Sequence, residues 1–398
     1  MGRSKNNRNR GGKKNKNVFT PRFKDNKHAK VAGSYKGIVE INSKHYGFIR
    51  EMDHVFSYDS SDVFVDPDDV KHHNLRPGLI LEGEYEEDSK GRRRVHSIEK
   101  INERNPVEWQ RATRFELQTP IMPIEQIKLG IDPDNVDMRV MDLVAPIGKG
   151  QRALLVAPPR TGKTVLLKKI AESITENHPD ITTGVLLVDE RPEEVTDFLR
   201  TTDAEIFASS NDKSTESHIR ITELALGYVK RKAEMGDDAV LLVDSITRLG
   251  RAYNNVQKSS GRTLSGGLDI RALEIPKKIF GSARKIEGGG SLTIISTCLV
   301  ETNSRMDDLI FEEFKGTGNM ELVLDRELAN DRIFPAINIA ASGTRNEDKF
   351  IGDSIEERNM VRRYLLKKSP KESMQSLLKV LNNTDSNEEL LNQIAAMA

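Results

Sequence analysis

The sequence predicts an α/β protein: a small five-stranded β-barrel followed by a larger, doubly wound parallel sheet. Three observations predict it. Five short β-like runs punctuated by turn residues fill residues 34–103. A buried-strand run, a Gly-Lys-Thr loop and an amphipathic helix follow one another between Arg152 and Thr175. Apolar runs and helical stretches then alternate up to residue 345, the pattern of strands covered by helices on both faces.

Ahead of the barrel the chain is basic and polar. The 398 residues balance 61 Lys+Arg against 61 Asp+Glu, but the balance is uneven along the chain. Residues 1–30 hold eleven Lys/Arg and one acid, Asp25, a charge of +10; the remainder carries 50 basic and 60 acidic residues, or −10. Residues 1–33 contain too few apolar side chains to offset ordering entropy, so they read as a disordered basic tail suited to a polyanion. A lone cysteine, Cys298, excludes an internal disulfide framework. No apolar run approaches the ~20 residues of a membrane helix, and the polar N-terminus lacks a signal region. The expectation is a cytoplasmic protein with no membrane partner.

The β-like runs lie at 38–41, 46–50, 62–65, 79–85 and 95–101. Asn42-Ser43, Asp66-Pro67 and Pro77-Gly78 separate them, which suits an oligonucleotide-binding (OB/cold-shock-like) barrel. Tyr46 and Phe48 are two residues apart and share a strand face, and Gly47 between them adds no bulk. Phe64 on the next run can join them as a platform for stacked bases. Arg50, Lys36 and Lys44 can meet phosphates. The competing reading is that the aromatics fill the barrel core. Residues 104–125 read as a connector anchored by Trp109 and Phe115 and broken by Pro120 and Pro123.

Residues 126–398 read as an ATPase domain with C-terminal helices. The run 152–156 leads into Ala157-Pro-Pro-Arg-Thr-Gly-Lys-Thr164 and then a helix, the phosphate-binding loop in its required context. Backbone N–H groups and the helix N-terminus cradle phosphates. Lys163 reaches the terminal phosphates of ATP, and Thr164 offers a hydroxyl to Mg²⁺. Ala157 stands where the usual first glycine would be. Further strand runs end in Asp189-Glu190-Arg191 and in Asp244-Ser245, with a third at 292–300 and helices expected at 214–234 and 269–284. Ligands sit beyond the carboxyl ends of such strands. Asp244 is suited to the Mg²⁺ shell, and Glu190 to activating a water. Helix capping is the competing explanation for both acids. Arg345 in a polar loop can neutralise γ-phosphate charge, and Phe334 can stack on adenine. Ser369-Pro370-Lys371-Glu372 reads as a capping box opening a C-terminal helix.

At these residues the chain resembles the bacterial Rho family of transcription termination factors. The stretches are RVMDLVAPIGKGQRALLVAPPRTGKT (139–164), VLLVDERPEEVTDFL (185–199), LLVDSITRLGRAYN (241–254), GGSLTIISTCLVETNSRMDD (289–308), FEEFKGTGNMEL (311–322) and RIFPAINIAASGTR (332–345). The barrel adds HYGFIR (45–50) and DVFV (62–65). The resemblance implies a RecA-like core, a homohexameric ring, ATP hydrolysis with Mg²⁺, and movement along single-stranded nascent RNA, with RNA polymerase and elongation factors as partners.

Residue by residue it implies Glu190 as general base, Arg191 as a nucleotide sensor and Asp244 on the metal side. Arg345 resembles an arginine finger supplied by a neighbour, and Phe334 an adenine shelf. The implied ATP set also includes Gly148, Lys149, Gly150, Gln151, Arg152 and Ala153, together with Arg160, Thr161, Gly162, Lys163, Thr164 and Val165. Tyr46, Gly47, Phe48, Arg50 and Phe64 match the family's primary RNA site. The stretch 258–267 matches a loop lining the ring's hole, and Arg305 a second pore loop that usually carries lysine. The last barrel run has no aromatic at 92–95, where many members have tyrosine. Two alternatives stay open on the residues alone: a rotary ATP synthase-type catalytic subunit, and an RNA-binding protein with a degenerate ATPase core.

Overall fold

The computed structural model describes residues 31–52, 56, 58–256 and 267–396. The basic segment 1–30 and the 258–267 stretch, apart from Gly267, lie outside them, so the expected tail and the stretch expected to line a ring's hole are not described.

Strands β1 (Val31–Ile41), β2 (Gly47–Arg50), β3 (Val63–Val65), β4 (Ile80–Glu87) and β5 (Arg93–Ile101) close into a barrel in the order β1-β2-β3-β5-β4. β1 pairs with β2 through Ile38 to Ile41 and with β4 through Val31 to Ile38, so one long strand serves two neighbours and closes the cylinder. Alternate residues Val39, Ile49, Val63, Val65, Leu81, Val95 and Ile101 fill the interior. Trp109 seals it, fully buried, its indole N–H donating to the Asn74 carbonyl at 3.1 Å.

The larger sheet contains β6 (Arg152–Ala157), β7 (Thr182–Glu190), β8 (Glu205–Ser210), β9 (Asp238–Asp244), β10 (Ser291–Leu299), β11 (Met320–Val323) and β12 (Gly343–Thr344) in the order β8-β7-β9-β10-β6-β11-β12. All neighbours pair in parallel except β11 and β12. The strands are apolar on both faces, as a sheet buried on two sides requires. Ala153, Leu155, Val185, Leu187, Val240 and Leu242 face one way, against Leu167, Ile170 and Ile174 of α1 (Lys163–Asn177). Leu154, Val156, Leu186, Val188, Leu241 and Val243 face the other, against Ile221, Leu224 and Tyr228 of α3 (Thr215–Glu234); α2 (Pro192–Thr201) lies between these helices in the chain.

The barrel docks on the α3 side. Ile38, Ile80, Phe56 and the connector's Phe115 belong to the same buried cluster as α3. Phe56 stacks on Phe207 of β8 at 4.8 Å. Gly227 permits backbone contact, because a Cβ there would lie 2.8 Å from the Pro77 carbonyl. Cys298 on β10 is fully buried, and burial pushes its thiol up to about 12.

One expected element differs. The helix expected over 269–284 is regular only at Glu274–Phe280, and Arg284–Ile286 instead joins the sheet edge beside β10 and Pro120–Ile121. The capping box at Ser369 and Glu372 is present and opens the helix Pro370–Leu381.

Candidate nucleotide site and barrel aromatics

Three strand ends converge. β6 runs into the loop 157–162, β7 ends at Glu190 and β9 at Asp244. Gly162 caps α1 at φ +88°, a left-handed conformation that glycine adopts without penalty. That turn aims the start of α1 across the strand ends. The Lys163 ammonium forms an ion pair with Asp244 and lies 3.5 Å from Glu190 Oε1. The Thr297 hydroxyl, on the intervening β10, donates to Asp244 Oδ1 at 2.7 Å. Arg248, on α4 (Ile246–Val256), lies 3.2 Å from Glu190 Oε2.

Both acids are nearly inaccessible, with side chains 2% and 1% exposed. Burial and the Asp244 charge push the Glu190 carboxyl up to about 7, against the opposing pull of Lys163 and Arg248. Asp244 Oδ2 and both Glu190 oxygens are buried without hydrogen-bond partners. Helix capping does not account for either acid, since neither side chain accepts from the helix that follows. The sequence reading overlooked Arg248 and Thr297. Arg248 was legible four residues after Asp244, one turn into the next helix.

Phe334 stands against the same loop. Its ring is 3.8 Å from where a Cβ on Gly162 would sit, and it is 45% exposed. With Arg160, Thr161, Val165 and Ala336 it lines a cavity of about 460 Å³. Thr164 is half-buried in the first turn of α1, and Arg191 is exposed at the cap of α2.

The segment from Gly148 to Ala153 is not brought to this loop. Arg152 begins β6 and Ala157 ends it, five strand steps apart, or roughly 16 Å. At that far end Gln151 donates to Asn319 Oδ1 at 2.7 Å, and Lys149 pairs with Asp238 at 2.7 Å. Gly150 turns there at φ +100°. Arg345 belongs to the same end: its N–H donates to the Asn319 carbonyl at 2.9 Å, and Asn319 N–H donates to Arg152. Arg345 therefore lies beyond side-chain reach of the phosphate loop of its own chain.

On the barrel, Tyr46, Phe48 and Phe64 form one cluster, with centroids 5.5–6.0 Å apart. Tyr46 and Phe64 are buried at 5% and 3% exposure, while Phe48 is half-buried. None of the three belongs to the barrel core, which Ile49, Val63 and Val65 fill from the opposite strand face, so the core-filling alternative fails and two rings support the third on the outer face. Arg50 does not point into solvent. It is 3% exposed, bonded to Glu40 at 3.0 Å and paired with Asp62, with its guanidinium 5.0 Å from the Phe48 centroid. Phe64 pairs with Arg94 on the neighbouring β5, within the 92–95 stretch that carries no aromatic. Arg305 is exposed in the first turn of α5 (Arg305–Lys315), and two residues on, Asp307 is buried and accepts from Arg251 Nε at 2.8 Å.

Comparison with known proteins adds to this geometry. Residues 137–344 match the ATP synthase alpha/beta family nucleotide-binding domain, and residues 35–107 match the Rho termination factor RNA-binding domain. Transcription termination factor Rho of Borreliella burgdorferi is 45% identical over 362 residues, covering 90% of this chain and 70% of that one. The Aquifex aeolicus protein of the same name is 46% identical over 369 residues, covering 91% and 84%. The chain belongs to the Rho family of transcription termination factors. Membership carries an RNA-binding barrel and a nucleotide-binding, ATP-hydrolysing core, and it sets aside the rotary-subunit alternative. A solved ATPase from a type III secretion system of pathogenic bacteria shares the core fold, with TM-score 0.57, 22% identity, and coverage of 70% of this chain and 88% of that one. No helix among the described residues is long and apolar enough to cross a membrane.

Proposed function

We propose that this chain is an RNA-binding, ATP-hydrolysing termination factor that works as a homohexameric, RNA-stimulated translocase on the nascent transcript. The observation that carries it is the convergence of Lys163, Glu190 and Asp244 at adjoining strand ends, in a chain whose barrel belongs to the Rho RNA-binding family. In this reading Lys163 leaves Asp244 for the β- and γ-phosphates of ATP. Glu190 takes a proton from water as the water oxygen bonds to the γ-phosphorus and the bond to the β-phosphate oxygen breaks. A carboxyl with pKa near 7 suits that task.

The orphaned Asp244 Oδ2 and the Thr164 hydroxyl are hard oxygen donors of the kind Mg²⁺ takes, beside phosphate and water. Mg²⁺ would neutralise phosphate charge there. Phe334 offers a face to adenine, with Arg160, Thr161, Gly162 and Val165 around it, and Arg191 reads the phosphates. Arg345 and the segment from Gly148 to Ala153 serve a neighbouring subunit's nucleotide, a reading supported by their distance from their own loop. Phe48 receives RNA bases, backed by Tyr46 and Phe64 and left clear by the small Gly47, Arg50 holds Phe48, and Arg305 meets RNA in the ring's hole. RNA polymerase and elongation factors are the expected partners.

The test is ATP hydrolysis without and with pyrimidine-rich RNA, beside unwinding of an RNA–DNA hybrid. RNA stimulation with ATP-dependent unwinding is expected. Hydrolysis indifferent to RNA would overturn the reading.

A further inference from the structure

Tyr58 lies outside the aromatic trio and is 71% exposed. Two guanidinium groups hold it: Arg50 at 4.5 Å and Arg220 at 4.4 Å from the ring centroid. Arg50 also lies against Phe48. Phe48, Arg50, Tyr58 and Arg220 therefore form an alternating series of rings and cations that begins on the barrel and ends on α3 of the ATPase core.

The two arginines are themselves fixed. Arg50 Nε donates to Glu40 Oε2 at 3.0 Å, and Arg220 donates to both Glu40 oxygens at 2.6 and 2.8 Å. Arg220 also donates to the Phe56 carbonyl at 2.7 Å, and Arg50 pairs with Asp62. Since both guanidiniums bond the same Glu40 oxygen, they crowd one side of the Tyr58 ring. The exposure of Tyr58 is then largely that of its opposite face.

We infer that Tyr58 is a further base-stacking position for single-stranded RNA, built jointly by the barrel and the ATPase core. The inference rests on the reading of the barrel as the RNA site and extends it by one position toward the core. An aromatic ring preset by cations behind it presents a flat apolar face with little rotamer entropy left to lose, and stacking needs no base identity. The charges around it cancel: Arg50 and Arg220 face Glu40 and Asp62. The site therefore takes a base rather than a phosphate, and its contribution is insensitive to salt. Arg220 acts as a positioning residue, through Glu40 and the ring.

The experiment measures binding of oligoribonucleotides two to six residues long to the full chain, for wild type, Tyr58→Ala, Tyr58→Phe, Arg220→Gln and Phe48→Ala, at two salt concentrations. Wild-type affinity should climb with length until Tyr58 is reached. Tyr58→Ala should leave the shortest RNAs unaffected and weaken longer ones by roughly five- to 150-fold, the range of a lost stacked base, with the same salt dependence. Tyr58→Phe should restore that increment, and Arg220→Gln should lose part of it. Equal binding by Tyr58→Ala and wild type at every length would overturn the inference. If Phe48→Ala also binds normally, the barrel reading itself fails.

Discussion

The Lys163 ammonium rests on the Asp244 carboxylate, across the end of β10. The pair is almost fully enclosed, so its two halves depend on one another. Lys163→Ala should abolish hydrolysis, because Lys163 is the cation placed at the first residue of α1 to meet β/γ-phosphate, while Arg248 is held on Glu190. It should also destabilise the nucleotide-free protein by up to about 3–5 kcal/mol, since two buried carboxylates lose their shared cation. Steady-state ATPase and thermal unfolding check both, and RNA binding by the barrel should persist.

Glu190 has a carboxyl raised to about 7 from an ordinary 4.5. A general base works only when deprotonated, so kcat/KM for ATP, which reports the nucleotide-free enzyme, should fall as pH drops through about 7. The stability sign is opposite. A raised carboxyl binds its proton more tightly when folded, so stability declines as pH rises from about 4.5 to 7. Glu190→Gln should be inactive at every pH, and its melting temperature should exceed wild type at pH 8 but not near pH 4.5. Activity and unfolding profiles across pH 5–9 test this.

Arg345 and the phosphate loop occupy opposite ends of β6. Arg345→Ala and Glu190→Gln should therefore each inactivate a uniform ring, whereas mixed rings should recover a fraction of turnover where intact Arg345 meets intact Glu190. Activity of mixtures with verified co-assembly reads this out, and mixtures as silent as the parents would refute action in trans.

Phe48 is the half-buried ring of its trio. Phe48→Ala should cost on the order of 1–3 kcal/mol of RNA affinity with little change in salt dependence. Deleting residues 1–30 should do the reverse. If about four phosphates are contacted, the log–log salt slope falls by roughly 3, at about 0.7 per single-strand contact. Affinity over a salt series with two RNA compositions separates the two effects.

Where residues act through local chemistry, the sequence was explicit. The Gly-Lys-Thr turn, the acids closing β7 and β9, and the Ser369 capping box each follow from adjacent residues, and the structure holds them as read. Contacts made across long separations were not legible. Arg50 was read as reaching phosphate, but Glu40 and Asp62 capture it at the junction with α3. The residues from Gly148 to Ala153 share a motif with the loop, yet an intervening strand carries them to the far edge. The expected helix at 269–284 was cut short because its last residues found a sheet edge to pair with. Helical periodicity says nothing of an available edge.

Cys298 gives the core a built-in clock. Its thiol sits on the strand between β6 and β9, fully enclosed and 3.5 Å from the Thr247 hydroxyl. Held up to about 12, it is neither ionised nor reachable at neutral pH, so an alkylating reagent has nothing to attack in the folded chain. The chain has a single cysteine, so any label it acquires dates one event, the parting of the central sheet.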